Sequence, residues 1–233
     1  MRLQRGTSKQ LLELIGEIGG RLSAADVRSI LRNPFVTSEV IGELALNRDR
    51  LTIYEVRSAI ARHRRTPTAL ALRFVPDLFW RDLLEITLDV RIRPVVRQVA
   101  DRYLVERLKR LTLGEKIAIA RRASGSVLTQ LAQDPSLRVM QALLGNSRLT
   151  EVVLLQAVAD VSTGPRKLDL VARDPRWGGR YEICLALSRN PRSPFRVLFD
   201  ILPRLRRADL LAVAELEAHS SIVRHRAHEL LED

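Results

Sequence analysis

Three histidines near the end of the chain have spacings that metal chemistry uses. His225 and His228 stand at i, i+3 with Glu229 beside them, and His219 lies shortly ahead. A zinc site needs four ligands, or three with an open position. No further ligand is close in sequence, and Cys184, the single cysteine, stands well apart. These histidines are therefore expected to be structural or solvent-facing, with no metal and no other cofactor bound. Cys184 sits among Ile183, Leu185, Ala186 and Leu187, a setting that predicts a buried, inert thiol packing as a small hydrophobe. Asp82 and Asp209 each precede a Leu-Leu pair. Their recurrence argues for a structural task, capping a helix or pairing with an arginine.

Basic clusters are the other candidate chemistry. Arg57, Arg62, Arg64 and Arg65 flank His63 in a stretch without an acid, read as part of a turn between helices. A matching turn holds Arg189 and Arg192, with Arg206 and Arg207 beyond it; the middle of the chain offers Arg121, Arg122 and Arg148. If equivalent turns line up along one edge, these arginines form a ridge able to follow a phosphate backbone with salt-sensitive, sequence-independent affinity. The competing reading is a solvated arginine-rich edge balanced by nearby acids. Aromatic residues for base stacking are few, with Phe79, Trp80 and Trp177 the candidates. Glycines offer no phosphate cradle: Gly19-Gly20 and Gly178-Gly179 read as turns, and no strand precedes them.

The elements that must position these side chains are helices. Apolar residues recur at i, i+3, i+4 and i+7 from residue 8 onward, and sustained period-two alternation is absent. The spacing predicts about 14 to 16 short helices in an all-α fold. Ser23 with Asp26, Thr52 with Glu55, and Thr112 with Glu115 have capping-box spacing. Thr66-Pro67 and Ser193-Pro194 read as a cap followed by a first-turn proline. Asn33-Pro34, Asp134-Pro135, Asp174-Pro175 and Asn190-Pro191 punctuate helix ends.

The strongest signal is internal repetition. Shifted by 127 residues, 54–104 falls on 181–231 without a gap: Tyr54-Glu55 meets Tyr181-Glu182, Arg62 meets Arg189, Pro67 meets Pro194, and Pro76 meets Pro203. Asp82-Leu83-Leu84 likewise meets Asp209-Leu210-Leu211, and Val96-Arg97 meets Val223-Arg224. A weaker echo at 131–150 implies a helical hairpin recurring about every 40 residues, a unit that must stack on neighbours to bury its apolar face. The division expected is one helical-repeat domain, with a capping helix over 1–22, a first copy over 23–110, a middle repeat over 111–150 and a second copy over 151–233.

The sequence L-A-x-D-P, then an apolar helix, then N-P-x-x-P (Asn190-Pro191-Arg192-Ser193-Pro194) resembles leucine-rich variant repeats and, more loosely, HEAT repeats. That resemblance spans about residues 23 to 231 and implies a right-handed solenoid (an α-α superhelix) of stacked helical hairpins, used as a binding scaffold. The N-terminal cysteine cluster of the first-described leucine-rich variant protein has no counterpart in this sequence, so that feature is not implied.

Composition bounds the remainder. At 233 residues with 46% hydrophobic and only 4% aromatic, the core must come from small aliphatics. The net charge of +12 raises a polyanionic partner, yet only four of the 39 basic residues are lysines, an excess of arginine that a GC-rich genome also produces. Without an apolar run of membrane length or a signal-peptide core, a cytoplasmic location is expected, and a monomer. The function expected is a non-enzymatic scaffold with a protein partner first and nucleic acid second. A lesser alternative is an enzyme similar to HEAT-like alkylpurine DNA glycosylases, with Trp80 and Asp82, or Trp177, drafted to the lesion.

Overall fold

The computed structural model describes residues 2–18 and 22–232; Gly19-Gly20 lies outside the described residues. Every regular element among them is helical, and no helix is long and apolar enough to cross a membrane. The chain divides into two compact units, Met1–Lys109 and Arg110–Asp233. The first holds α1 (Arg2–Arg5), α2 (Ser8–Ile18), α3 (Ala24–Leu31), α4 (Ser38–Leu46), α5 (Arg48–Thr52), α6 (Tyr54–Ala61), α7 (Thr68–Phe74), α8 (Trp80–Leu88) and α9 (Pro94–Leu108). The second holds α10 (Leu113–Ala120), α11 (Ser126–Ala132), α12 (Leu137–Leu144), α13 (Glu151–Ala159), α14 (Pro165–Ala172), α15 (Tyr181–Arg189), α16 (Phe195–Ile201), α17 (Arg207–Ala214) and α18 (Ser221–Glu232). These eighteen helices outnumber the 14 to 16 expected because some apolar runs are broken by side-chain caps. Asn47 accepts from the Arg50 amide and starts α5 afresh after α4, and Thr7 and Gln10 box the start of α2.

Helices this short are marginal alone, and within each unit they are held by packing on the next helix and the next but one. Helix α12 lies on α10, α13 on α11, and α15 on α13; in the first unit α3 lies on α1 and α6 on α3. Alternate turns therefore stack on one another in rows. A buried donor at one turn satisfies the carbonyls that end the helix stacked before it, which would otherwise be orphaned. Asn33 Nδ2 donates to the carbonyls of Leu3 and Gly6. Asn146 Nδ2 donates to Ala120 and Ala123 at 2.7 and 3.0 Å, and Asn190 Nδ2 to Val158 and Asp160 at 2.6 and 3.1 Å. Each carboxamide oxygen meanwhile accepts from the amide two residues on, at Phe35, Arg148 and Arg192, closing an Asx turn. Where the turn residue is aspartate it has no proton to give, and a cation takes over. Lys167 Nζ spans the carbonyls of Ala132 and Asp134, and Arg176 those of Asn146 and Leu149.

Two of the three capping boxes form as the spacing predicts, at Ser23–Asp26 and Thr112–Glu115. The third does not. Thr52 ends α5 and its hydroxyl donates to the Asp49 carbonyl, while α6 starts at Tyr54 without a side-chain cap. The Thr66-Pro67 and Ser193-Pro194 pairs also depart from expectation, because the proline itself is the N-cap. The hydroxyls point backwards: Thr66 donates to the Ile60 carbonyl and Ser193 to that of Leu187, six residues earlier. Thr163 does the same to Ala157. Closing the preceding helix wins because its last carbonyls are buried and the next helix's first amides are not.

One set of contacts recurs at the 127-residue offset. The Tyr54 hydroxyl donates to Asp82 and accepts from the Phe79 amide; that of Tyr181 donates to Asp209 and accepts from the Arg206 amide. Arg62 pairs with Asp82 at 2.8 Å and Arg189 with Asp209 at 3.0 Å. The two aspartates thus have the structural partners expected of them, and a 3-10 turn follows α7 and α16 alike.

Candidate functional site: a charged cleft and its apolar counterpart

The predicted arginine ridge is not one line of free cations. Within the second unit, Arg148 donates to the Arg122 carbonyl in one row of turns, while Arg192 donates to Val161 and Ser162 in the other. In the first unit Arg65 donates to the carbonyls of Pro34 and Val36. Arg57 is placed elsewhere, on the carbonyls of Leu51 and Thr52. Arg62 and Arg189 are neutralised by their aspartates, and the guanidinium of Arg206 lies 4.6 Å from the Tyr181 ring. Arg64, Arg121 and Arg207 are exposed and form no hydrogen bond or ion pair through their side chains among the described residues. Stacked turns need donors, and arginine supplies them, so most of the ridge is spent on the fold.

What the structure does bring together is a cleft of about 390 Å³ across α3, α6 and α8. Arg28 on α3 and Arg32 at the cap that ends it face Arg62 and His63 after α6 and Asp89 and Arg91 after α8. Asp89 receives a two-pronged bond from Arg91 at 2.8 and 2.7 Å, which holds its carboxyl below the ordinary range. With those pairs closed, Arg28, Arg32 and Glu85 are the other charged groups of the lining, and the guanidiniums of Arg28 and Arg32 have no hydrogen-bond or ion-pair partner among the described residues. His63 adds no charge at neutral pH: burial pushes its pKa down, and Arg65 and Arg64 push it further. Its Nδ1 accepts from the Arg65 amide and its other nitrogen bonds the Leu31 carbonyl, so it acts as Asn33 and Asn190 do.

The second unit repeats this cleft, at about 240 Å³, with different chemistry. At the 127-residue offset Arg28, Arg32, Ala59, Arg62 and His63 become Leu155, Ala159, Ala186, Arg189 and Asn190, all of which line it. One frame therefore presents a cationic floor in one unit and an apolar floor in the other. Sequence reasoning picked out Arg62 and Arg189 but missed Arg28, Arg32 and Arg91, which lie in three different turns or helices; the 127-residue alignment was the signal that would have paired the clefts.

The remaining candidates are buried within the fold or, like His225 and His228, exposed on its surface. Among the described residues no group of three His, Cys, Asp or Glu side chains converges as metal ligands would. His219 Nε2 lies 2.6 Å from the Ser188 carbonyl, a buried rung like the asparagines, and His225 pairs with Glu229 at 3.3 Å. Cys184 is buried and bonds the Gly178 carbonyl, and burial raises its thiol pKa. Trp177 is 1% exposed, capped by Arg176 and Arg180 at 4.5 and 4.7 Å. Gly178 beside it must be glycine, since a Cβ there would sit 1.9 Å from the Ala172 carbonyl oxygen. No family model matches the chain, and comparison with curated proteins and with solved structures returns no match.

Proposed function

We propose that this protein is a non-enzymatic helical-repeat scaffold, used as HEAT and leucine-rich variant repeats are, and that it binds another protein. The observation that carries this reading is the pair of matched clefts. A phosphate backbone asks for the same cation at every contact, whereas a protein partner presents acidic and apolar side chains together. Arg28 and Arg32 suit the first kind of side chain, Leu155, Ala159 and Ala186 the second. The turn arginines weigh the same way, because donors engaged by backbone carbonyls are poor phosphate ligands. Nucleic acid stays the second reading on the strength of Arg64, Arg121 and Arg207, whose side chains have no partner among the described residues. The scaffold works, on this proposal, as a cytoplasmic monomer.

A photo-crosslinking residue placed at Ala59 or Ala186 in cells tests the reading. The expected product is a discrete protein adduct, lost with Arg28→Glu/Arg32→Glu or Ala159→Glu and retained with Arg28→Lys/Arg32→Lys. Titration with duplex DNA and duplex RNA across a salt series is expected to show no steeply salt-dependent affinity. Nucleic-acid adducts at these positions, together with such a salt slope, would replace the protein reading by the nucleic-acid one. Base release from alkylated DNA is not expected.

A further inference from the structure

A second concavity of the first unit, about 940 Å³, shares no lining residue with the charged cleft. Arg48, Tyr54, Arg57, Arg73, Asp77 and Phe79 line it. Phe79 is 62% exposed, yet it is not a loose side chain. Its ring lies 4.2 Å from that of Tyr54, and the Tyr54 hydroxyl is fixed between Asp82 and the Phe79 amide. Burial first, and then the bond to Asp82, push the Tyr54 phenol up to about 12, so it stays neutral. The result is a rigid aromatic platform with one ring offered to solvent. Around it stand three arginines and one acid. Arg57 is oriented by two carbonyls while its Nε is buried without a partner. Arg48 and Arg73 are exposed and form no side-chain hydrogen bond or ion pair among the described residues; Arg73 lies 5.9 Å from the Phe74 ring.

The second unit shows which of these residues the fold itself requires. Tyr181 and Asp209 repeat Tyr54 and Asp82 with the same bonds. At the same offset, however, Phe79 is replaced by Arg206, Arg57 by Cys184, Arg73 by Asp200 and Asp77 by Arg204. The frame survives without the platform and with two of its charges reversed. Arg206 covers the Tyr181 ring as Phe79 covers that of Tyr54, but the frame does not demand the exposed face of Phe79 or the guanidiniums of Arg48 and Arg73, and these gather around one concavity.

We propose that this groove binds a nucleotide, its base stacked on Phe79, its phosphates held by Arg48 and Arg73, and its sugar hydroxyl donating to Asp77. Arginine is the residue suited to planar recognition of phosphate, an aromatic face stacks any base, and a carboxylate accepts from ribose hydroxyls as in dinucleotide folds. A free mononucleotide and one residue of a single strand carry the same chemistry. The site is independent of the protein-binding clefts.

The test is titration of the full chain with a fluorescent ADP analogue, with competition by unlabelled ADP, a short oligouridylate and pyrophosphate. Saturable binding is expected, with ADP or the oligouridylate displacing the probe well below the pyrophosphate concentration required; whichever competes better identifies the source. Phe79→Ala is expected to weaken the nucleotide about tenfold while leaving pyrophosphate unchanged. Arg48→Glu/Arg73→Glu is expected to weaken both. These side chains are exposed, so circular dichroism should match that of the parent. Absence of saturable binding, or displacement by pyrophosphate as effective as by ADP and indifferent to Phe79→Ala, overturns the proposal.

Discussion

His63 does with an imidazole what Asn33, Asn146 and Asn190 do with a carboxamide: one atom accepts from the amide two residues on, and another bonds a carbonyl of the helix stacked before it. The two side chains differ in one respect, that imidazole titrates. Burial and two neighbouring arginines lower its pKa in the folded protein from the ordinary 6.5. The unfolded chain then takes up the proton first, so the stability this residue contributes is present above about pH 6.5 and is lost as pH falls below it. Protonation also removes the acceptor for the Arg65 amide. His63→Asn, which installs the residue found at the equivalent position 190, is expected to leave the urea midpoint at pH 7.5 nearly unchanged. It should also flatten the decline in midpoint between pH 6.5 and 5. An equally steep decline in the variant would show that another group carries the acid sensitivity. The same comparison of residues shows where sequence reading fails. Arg65 and Arg192 read as phosphate ligands because a cation at a turn looks alike whether it faces solvent or the carbonyl of a turn about 30 residues earlier.

At the scale of elements, the helices were plain in the sequence and their closures were not. Ser23 and Thr112 cap as their spacing predicts; Thr66 and Ser193 have equally good cap chemistry but close the previous helix instead. Cap spacing is a local property, whereas the choice of partner depends on which carbonyls burial has cut off from water, and that is set by the neighbouring helix. The clefts were hidden for the same reason, since α3, α6 and α8 contribute to one floor from well-separated segments. A buried asparagine rung is the element's weakest point. Asn190→Ala leaves the carbonyls of Val158 and Asp160 without their donor and the Arg192 amide without its acceptor, and is expected to cost about 2–4 kcal/mol in chemical denaturation. Arg192→Ala removes only outer bonds to Val161 and Ser162, at 3.4 and 3.1 Å, and is expected to cost under about 1 kcal/mol. Equal losses for the two would deny the rung its special place.

The whole molecule is a 26.4 kDa polycation of +12. Carbonyl bonds use an arginine's donors without cancelling its charge, so much of that excess persists although few of the cations are geometrically free. Mutual repulsion of such chains opposes self-association. Multi-angle light scattering at low salt is expected to return the mass of one chain, and a mass near twice that value would mean that an exposed face is covered by a second copy. The all-α class and the internal correspondence were both legible from periodicity and alignment, because they are distributed over many residues. The divergence of the two units was not, since it is carried by a few substitutions whose neighbours only folding reveals.

The asparagine rungs also bear on how the protein ages. An asparagine side chain deamidates when the following backbone nitrogen attacks it, and proline has no N–H to do so. Asn33 and Asn190 are each followed by proline and are chemically protected, but Asn146 is followed by Ser147. Conversion of Asn146 to a carboxylate would set an acceptor against the carbonyls of Ala120 and Ala123 that its amide now serves. Among the three asparagine rungs, the turn between α12 and α13 is the one whose neighbouring nitrogen leaves that chemistry open.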